Sequence, residues 1–313
     1  MKSFNRAFAR AMFLCVMLFS ASHGAVASGN DNSVTVTHIA GKTEIQTMPK
    51  RVVVLGNAGL DILDRFGIKP VGALHSLLPA YLTKYKAETT HTGSFHEPDY
   101  ETIYQLKPDL IIAENRMIHL YEDISEIAPT VVLYVDNGQY WQDTEHNWRM
   151  LAKIFNKQTE VEAKIATITG QFEAIAKQAK GQNLRAIMVM SSGSKVSIYN
   201  KGSRFSVLFD EFGFSEAKTN YVNPIRGIHG NLISFEYIAN AKPDVIFLLD
   251  REQAVGIGQG KAQAKFDNPM INGTPAAKNG KIIMLDPNAW YLTGGGMTAT
   301  EHMIADVQQV FVP

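Results

Sequence analysis

One stretch of this chain occurs twice. Residues 100–116 read YETIYQLKPDLIIAENR and residues 235–251 read FEYIANAKPDVIFLLDR, with seven identities in seventeen ungapped positions. The identities are Glu101, Ile103, Lys107, Pro108, Asp109, Ile111 and Arg116 in the first copy and Glu236, Ile238, Lys242, Pro243, Asp244, Ile246 and Arg251 in the second. In each copy an N-cap residue, Asp99 or Ser234, precedes a helical stretch, Lys-Pro-Asp ends it, and a short apolar run follows as a strand. A second echo lies ahead of each copy, where LDILDRFGI (60–68) is answered by SVLFDEFGF (206–214). A chain that states the same helix–strand unit twice is expected to build two similar α/β lobes rather than one large sheet.

The first thirty residues stand outside that argument. Lys2, Arg6 and Arg10 form a basic start, Ala11 to Phe19 is an apolar run too short to span a bilayer comfortably, and Ala25-Val26-Ala27 is a small-x-small cleavage site. The residues before Cys15, Met12-Phe13-Leu14, are too bulky for a lipidation site, so a cleaved export signal is expected. Cleavage would leave about 286 residues without a cysteine, held by a core and not by disulfides. It would also remove three of thirty basic residues and none of thirty acidic ones, leaving a slightly acidic chain with no call for nucleic acid or anionic lipid.

After the signal, SVTVTHIAGKTEIQT alternates as a hairpin does around Gly41-Lys42. Short continuous apolar runs at 51–55, 131–133, 187–190, 245–249 and 282–285 have the look of strands buried on both faces, and helical stretches separate them, which predicts parallel sheets. Between the halves Val161, Ile165, Ile168, Phe172, Ile175 and Ala179 make one apolar stripe of a long helix. Thr159 and Glu162 have capping-box spacing, and Gly181 sits where a C-terminal cap belongs. Such a helix runs roughly 30 Å and bridges two lobes as a stiff rod that limits their relative motion. The expected divisions are a signal peptide at 1–27, an N-terminal lobe at 28–157, a linker helix at 158–181 and a C-terminal lobe at 182–313.

A helix that turns back into a strand runs antiparallel to it, so the start of the helix and the end of the strand share one rim. Arg116 and Arg251 then fall just past the carboxyl ends of their strands, where open α/β sheets bind ligands. Glu101 and Glu236 lie farther out, available to a partner. Taken singly, each glutamate would do no more than complement a helix dipole, and each arginine would be a solvated loop residue. Their common register in both copies favours a shared role.

The export signal, the two α/β halves, the connecting helix and the paired helix–KPD–strand units resemble the periplasmic solute-binding proteins of ABC importers for iron-siderophores and cobalamin. The segments GSRFSVLFDEFG (202–213), IHGNLISFEYI (228–238), LLDR ending at Arg251 and AWYLTGGG (289–296) resemble the binders of ferric catecholates more narrowly. The resemblance implies two Rossmann-like lobes joined by a single long α-helix, the class III periplasmic binding protein arrangement. It implies that Arg116, Arg204 and Arg251 line the cleft, that His229 and Tyr291 reach the metal, and that Glu101 and Glu236 dock the lobes onto a two-fold permease. No intrinsic cofactor is implied: Fe(III) arrives as part of the siderophore. The implied partners are a ferric siderophore and an inner-membrane ABC permease, with the chain acting as a periplasmic monomer.

The chemistry of the residues is consistent with that implication. A ferric catecholate is an anion, and arginine offers several donors with a charge that survives desolvation. Two catechols give iron four of its six ligands, and a phenolate and an imidazole would supply the others. Taken without the resemblance, His229 is equally well a hydrogen-bonded loop histidine and Tyr291 a packed aromatic. Hydroxamate or citrate-type siderophores, haem and cobalamin remain alternative cargoes on the same fold. Zinc or manganese capture is disfavoured because the nine histidines are scattered. An exported enzyme is the reading from another class, but Gly256-x-Gly-x-Gly-Lys261, Gly294-Gly-Gly296 and Ser191-Ser-Gly-Ser194 match no phosphate-binding or serine-nucleophile pattern.

Overall fold

The Lys-Pro-Asp signature is a folding device, and it works the same way in both halves. Lys107 and Lys242 each take a left-handed conformation, φ 46°, which ends the helix before them. Proline then blocks any continuation, and the aspartate ties the new strand to its neighbour. Asp109 accepts the backbone N–H groups of Lys50 and Arg51 at 2.7 and 2.8 Å, and Asp244 accepts that of Arg185 at 3.0 Å. The two arginines return the favour: Arg51 Nε donates to Leu106 O at 2.9 Å and Arg185 Nη2 to Lys242 O at 2.6 Å. The conserved spacing between the copies therefore follows from strand pairing before any function is invoked.

The computed structural model describes residues 32–219, 230–258 and 260–312. A hairpin of β1 (Ser33–His38) and β2 (Gly41–Gln46) opens the chain, with Val34, Val36, His38, Thr43 and Ile45 on its buried face. Its turn is Ile39-Ala40, two residues before the expected position, a shift that leaves all five of those residues on one side. The first lobe is a parallel sheet of β3 (Val52–Leu55), β4 (Gly72–Ala73), β5 (Thr90–His91), β6 (Leu110–Glu114) and β7 (Thr130–Leu133), in the order β5-β4-β3-β6-β7.

The second lobe has β8 (Arg185–Ser192), β9 (Lys195–Tyr199), β10 (Ser215–Glu216), β11 (Asn231–Leu232), β12 (Val245–Asp250) and β13 (Ile282–Met284). Their order is β11-β9-β8-β12-β13, with β10 beside β8. The strands β10, β8, β12 and β13 are parallel as expected, but β9 runs antiparallel to β8 and β11 antiparallel to β9. The departure is local in origin. Only Gly193 and Ser194 separate β8 from β9, and a two-residue turn can join antiparallel strands alone.

Six helices position the features discussed below: α1 (Asn57–Phe66), α2 (Tyr100–Gln105), α3 (Tyr140–Phe155), α4 (Gln158–Gly181), α5 (Phe235–Ala241) and α6 (Met297–Gln308). All six residues of the predicted stripe on α4 are buried. The predicted capping box does not form, because the helix already begins at Gln158 and Glu162 instead pairs with Arg149 of α3 at 2.7 Å. Gly181 is still helical, and the left-handed position falls on Asn183, φ 51°.

More than the linker helix joins the lobes. One apolar cluster runs from Val54 and Leu63 through Phe172 to Phe212, Phe247 and Met303. Edge-to-face contacts carry it across, from Trp141 to Phe172 at 5.1 Å and from Phe172 to Phe212 at 4.9 Å. The chain's last long helix, α6, turns back onto α1, where buried Asp61 accepts the N–H groups of Thr298 and Ala299 and the hydroxyl of Tyr81, each at 2.9 Å. A Cβ at Gly296 would lie 2.4 Å from Asp61 Oδ2, so this approach requires glycine. No helix among the described residues is long and apolar enough to cross a membrane.

Candidate functional site

Tyr291 stands on a single π-helical turn, Asn288–Leu292. Asp286 Oδ1 accepts the N–H groups of Asn288 and Ala289, and the indole of buried Trp290 donates to Asp306 at 2.9 Å, so the turn is fixed from behind. The segment after it is gripped by the first lobe. Trp148 Nε1 donates to Gly295 O at 2.7 Å, and Gly295 N donates to the Tyr140 hydroxyl at 3.1 Å. A tyrosine encoded near the end of the chain is thus held where the two lobes face each other.

Three guanidinium groups converge on its ring. Arg116 follows β6, Arg204 lies in the turn after β9, and Arg251 follows β12, so all three come from segments leaving the sheets, one from the first lobe and two from the second. Their Cζ atoms lie 5.9, 4.5 and 5.9 Å from the Tyr291 ring centroid, respectively. Arg251 Nε donates to the Tyr291 hydroxyl at 3.0 Å, and Arg204 Nη2 to the Tyr291 carbonyl at 3.0 Å. Among the described residues no carboxylate pairs with any of the three.

The electrostatic result can be read on the groups themselves. Burial by itself would push the Tyr291 phenol up, but the hydrogen bond from Arg251 and the charges of Arg251, Arg204 and Arg116 win, holding it below its ordinary value of 10. Arg204 is pushed below the usual arginine value, chiefly by burial and then by Arg116, and like any arginine it stays charged. Three cations with no ion-paired carboxylate among the described residues, around a phenol poised toward its anion, suit a polyanionic ligand with hard oxygen donors. The lobes also come close beside these arginines. A Cβ on Gly138 would lie 3.3 Å from Gly202 Cα, and one on Gly256 would lie 3.5 Å from Leu77.

Sequence reasoning therefore named four residues that the fold brings together, Arg116, Arg204, Arg251 and Tyr291. The fifth, His229, lies outside the described residues. Glu101 and Glu236 sit in the first turns of α2 and α5, both exposed and neither ion-paired among the described residues. Exposed Tyr100 and Tyr104 flank Glu101. No cluster of three or more His, Cys, Asp or Glu side chains that could hold a metal occurs among the described residues.

Two residues at the cleft were not anticipated. Glu114, two residues before Arg116, reaches across from the end of β6 and accepts Gly59 N at 2.8 Å, capping α1 where Gly56 has no side chain to do so. That outside cap lets α1 begin at Asn57. Burial is the main cause that raises the Glu114 carboxyl to about 7, against the backbone N–H groups of Gly59 and Ala58 and the charge of Arg116, with Asp61 adding to the rise. The other is Phe95, whose ring lies under Arg116 at 5.8 Å. The duplicated segment could have pointed to Glu114, since Leu249 stands in its place in the second copy; nothing in the sequence singles out Phe95.

Two sheets covered by helices and joined by one long helix make the class III substrate-binding fold. The chain belongs to the periplasmic binding protein family, whose model matches residues 52–289. It is similar to the periplasmic catecholate-siderophore binding protein VctP from Vibrio cholerae, with a TM-score of 0.84 and 41% identity, covering 88% of this chain and 99% of that one. It is 32% identical over 316 residues to the petrobactin-binding protein YclQ of Bacillus subtilis, covering 98% of each chain. The ferric-anguibactin-binding protein FatB of Vibrio anguillarum is 31% identical, over 88% of this chain and 87% of its own. These relatives are named as binding proteins, not as enzymes.

Proposed function

We propose that this protein captures a ferric catecholate siderophore in the cleft between its lobes and delivers it to an ABC permease. The observation that supports this most is the convergence of Arg116, Arg204 and Arg251 on Tyr291 with no ion-paired carboxylate among the described residues. Like charges gathered around one ring repel one another, and an anion bound among them would offset that repulsion. VctP and YclQ, whose names specify a catecholate siderophore and petrobactin, support the choice of cargo.

In this reading the arginines bind catecholate oxygens, and the Tyr291 phenolate, with His229, completes the coordination of an iron whose siderophore supplies four oxygens. Loss of the Tyr291 proton is already favoured by the surrounding cations. Glu101 and Glu236 present one carboxylate per lobe to a two-fold permease. The protein acts as a periplasmic monomer after removal of residues 1–27.

The test is a titration of the purified protein followed by tryptophan fluorescence, with ferric catecholate, hydroxamate and citrate complexes in parallel. Trp290 adjoins Tyr291, so a ferric catecholate should quench stoichiometrically and generate a visible charge-transfer band. Tighter binding of ferric citrate would instead favour a carboxylate-type cargo, as named for the 27% identical Fe(3+)-citrate-binding protein YfmC of Bacillus subtilis. Binding of none of these would end the siderophore reading.

A further inference from the structure

Arg116 differs from the other two arginines in what holds it. Arg204 and Arg251 each spend a hydrogen bond on Tyr291, whereas among the described residues the Arg116 guanidinium has no hydrogen-bond or carboxylate partner. It rests between two aromatic rings, Phe95 of its own lobe at 5.8 Å and Tyr291 of the other at 5.9 Å. All five of its donors are therefore unspent.

Phe95 is a firm support. Its ring is buried with Leu74, Ile103 and Met117. The loop that carries it closes on itself: Ser94 N donates to Glu97 O at 2.9 Å, Glu97 N donates to Ser94 Oγ at 3.1 Å, and Gly93 pairs with Pro98. Gly93 holds φ 104°, and a Cβ there would come within 2.4 Å of Glu97 O, so the loop has little room to rearrange. An unsupported arginine keeps the rotamer entropy of a long side chain, which a ligand must remove on binding. An arginine already lying on a fixed ring has lost much of it.

We infer that Phe95 is a positioning residue for cargo, a fixed aromatic face that holds the Arg116 guanidinium in place with its donors free for an anionic ligand. The inference rests on the reading of this cleft as an anion site, but its first consequence does not: Arg116 is ordered by Phe95 in the ligand-free protein.

The test has two arms. In the ligand-free protein, the Arg116 Nε–Hε resonance should be ring-shifted and rigid, and Phe95→Leu should move it toward the random-coil position and lower its order parameter. An unchanged resonance in Phe95→Leu would overturn the inference whatever the cargo proves to be. With a ferric catecholate as probe, Phe95→Leu should weaken binding about threefold to thirtyfold, the range of a cation–π contact between exposed and desolvated limits. Phe95→Tyr, which keeps the ring, should stay near the parent affinity, and Phe95→Leu should cause no further loss in an Arg116→Ala background. Losses that multiply would mean the two side chains act independently and would also overturn it. If Phe95→Leu does not fold, pentafluorophenylalanine at position 95 keeps the packing and inverts the ring's electrostatics, with the same outcomes expected. Failure of the parent protein to bind any probe would sink the cargo reading while the resonance arm still decides the role of Phe95.

Discussion

Asp61→Ala should loosen the grip of the first lobe on α6, and its cost can be worked from the contacts. The carboxylate is fully buried and serves three donors: Thr298 N, Ala299 N and the Tyr81 hydroxyl. Gly296, at the N-cap of α6, offers no side chain, so nothing local can replace it. Each orphaned buried donor costs about 1–3 kcal/mol, and the hydroxyl can rotate toward another partner, so the two N–H groups dominate at about 4 kcal/mol together. Against that stands relief of the carboxylate's own burial, which pushes its pKa up in spite of the three hydrogen bonds. A net loss of about 3 kcal/mol remains, equivalent to a fall of roughly 6–12 °C in Tm for a chain of this size. Thermal unfolding followed by tryptophan fluorescence and by calorimetry would measure it, with Asp61→Asn, which keeps one acceptor oxygen, expected in between. A loss below about 1 kcal/mol would show that solvent caps α6 and that the lobes are not latched at this point.

Tyr291→Phe should weaken binding of a ferric complex with four siderophore oxygens by at least about tenfold and leave a six-oxygen complex nearly unaffected, measured by fluorescence titration; equal losses would argue against coordination by the phenolate. Glu101→Ala combined with Glu236→Ala should leave cargo affinity unchanged and reduce siderophore-dependent iron uptake in cells, and normal uptake would remove the docking role. Burial raises the Glu114 carboxyl from its ordinary value of 4.5 to about 7. The native state therefore binds the extra proton, and this contribution is complete below 4.5 and lost as pH rises through about 7, up to roughly 3 kcal/mol in all. Urea unfolding of Glu114→Gln across that window should show a flatter pH dependence than the parent, and parallel curves would refute the assignment.

Legibility followed the range of the interactions. The apolar runs at 51–55, 131–133, 187–190, 245–249 and 282–285 marked β3, β7, β8, β12 and β13, and the stripe marked α4, because burial on both faces, or on one helical face, leaves a local pattern in the sequence. The antiparallel β9 escaped because KVSIY is as strand-like in either direction, and its direction is set by two turn residues. Arg116 and Arg251 could be placed at the cleft from the repeat alone, since topology fixes where a strand ends. Arg204 and Tyr291 needed the family resemblance, because nothing local says that a turn after β9 and a π turn near the C-terminus meet. Phe95 meets Arg116 from 21 residues away in sequence, a distance at which single-sequence patterns are silent, and Glu114 reaches Gly59 from 55 away with only its mismatch to Leu249 in the repeat to mark it.

The duplicated scaffold and the unduplicated latch answer different physical demands. The repeat places Arg116 and Arg251 at matching strand ends, and a symmetric pair of cations would by itself push the lobes apart. What opposes that push is not symmetric: α6 crosses back to α1, Trp148 and Tyr140 grip Gly295, and the Trp141–Phe172–Phe212 contacts run through the interface. These contacts hold Tyr291 among three guanidinium groups that form no ion pair among the described residues. If the cleft takes an anion as proposed, its affinity would draw on charges that the fold already orders. On such a frame the supports behind the arginines matter as much as the arginines themselves, because a cation free to swing away from its neighbours would relieve the repulsion by leaving the cleft.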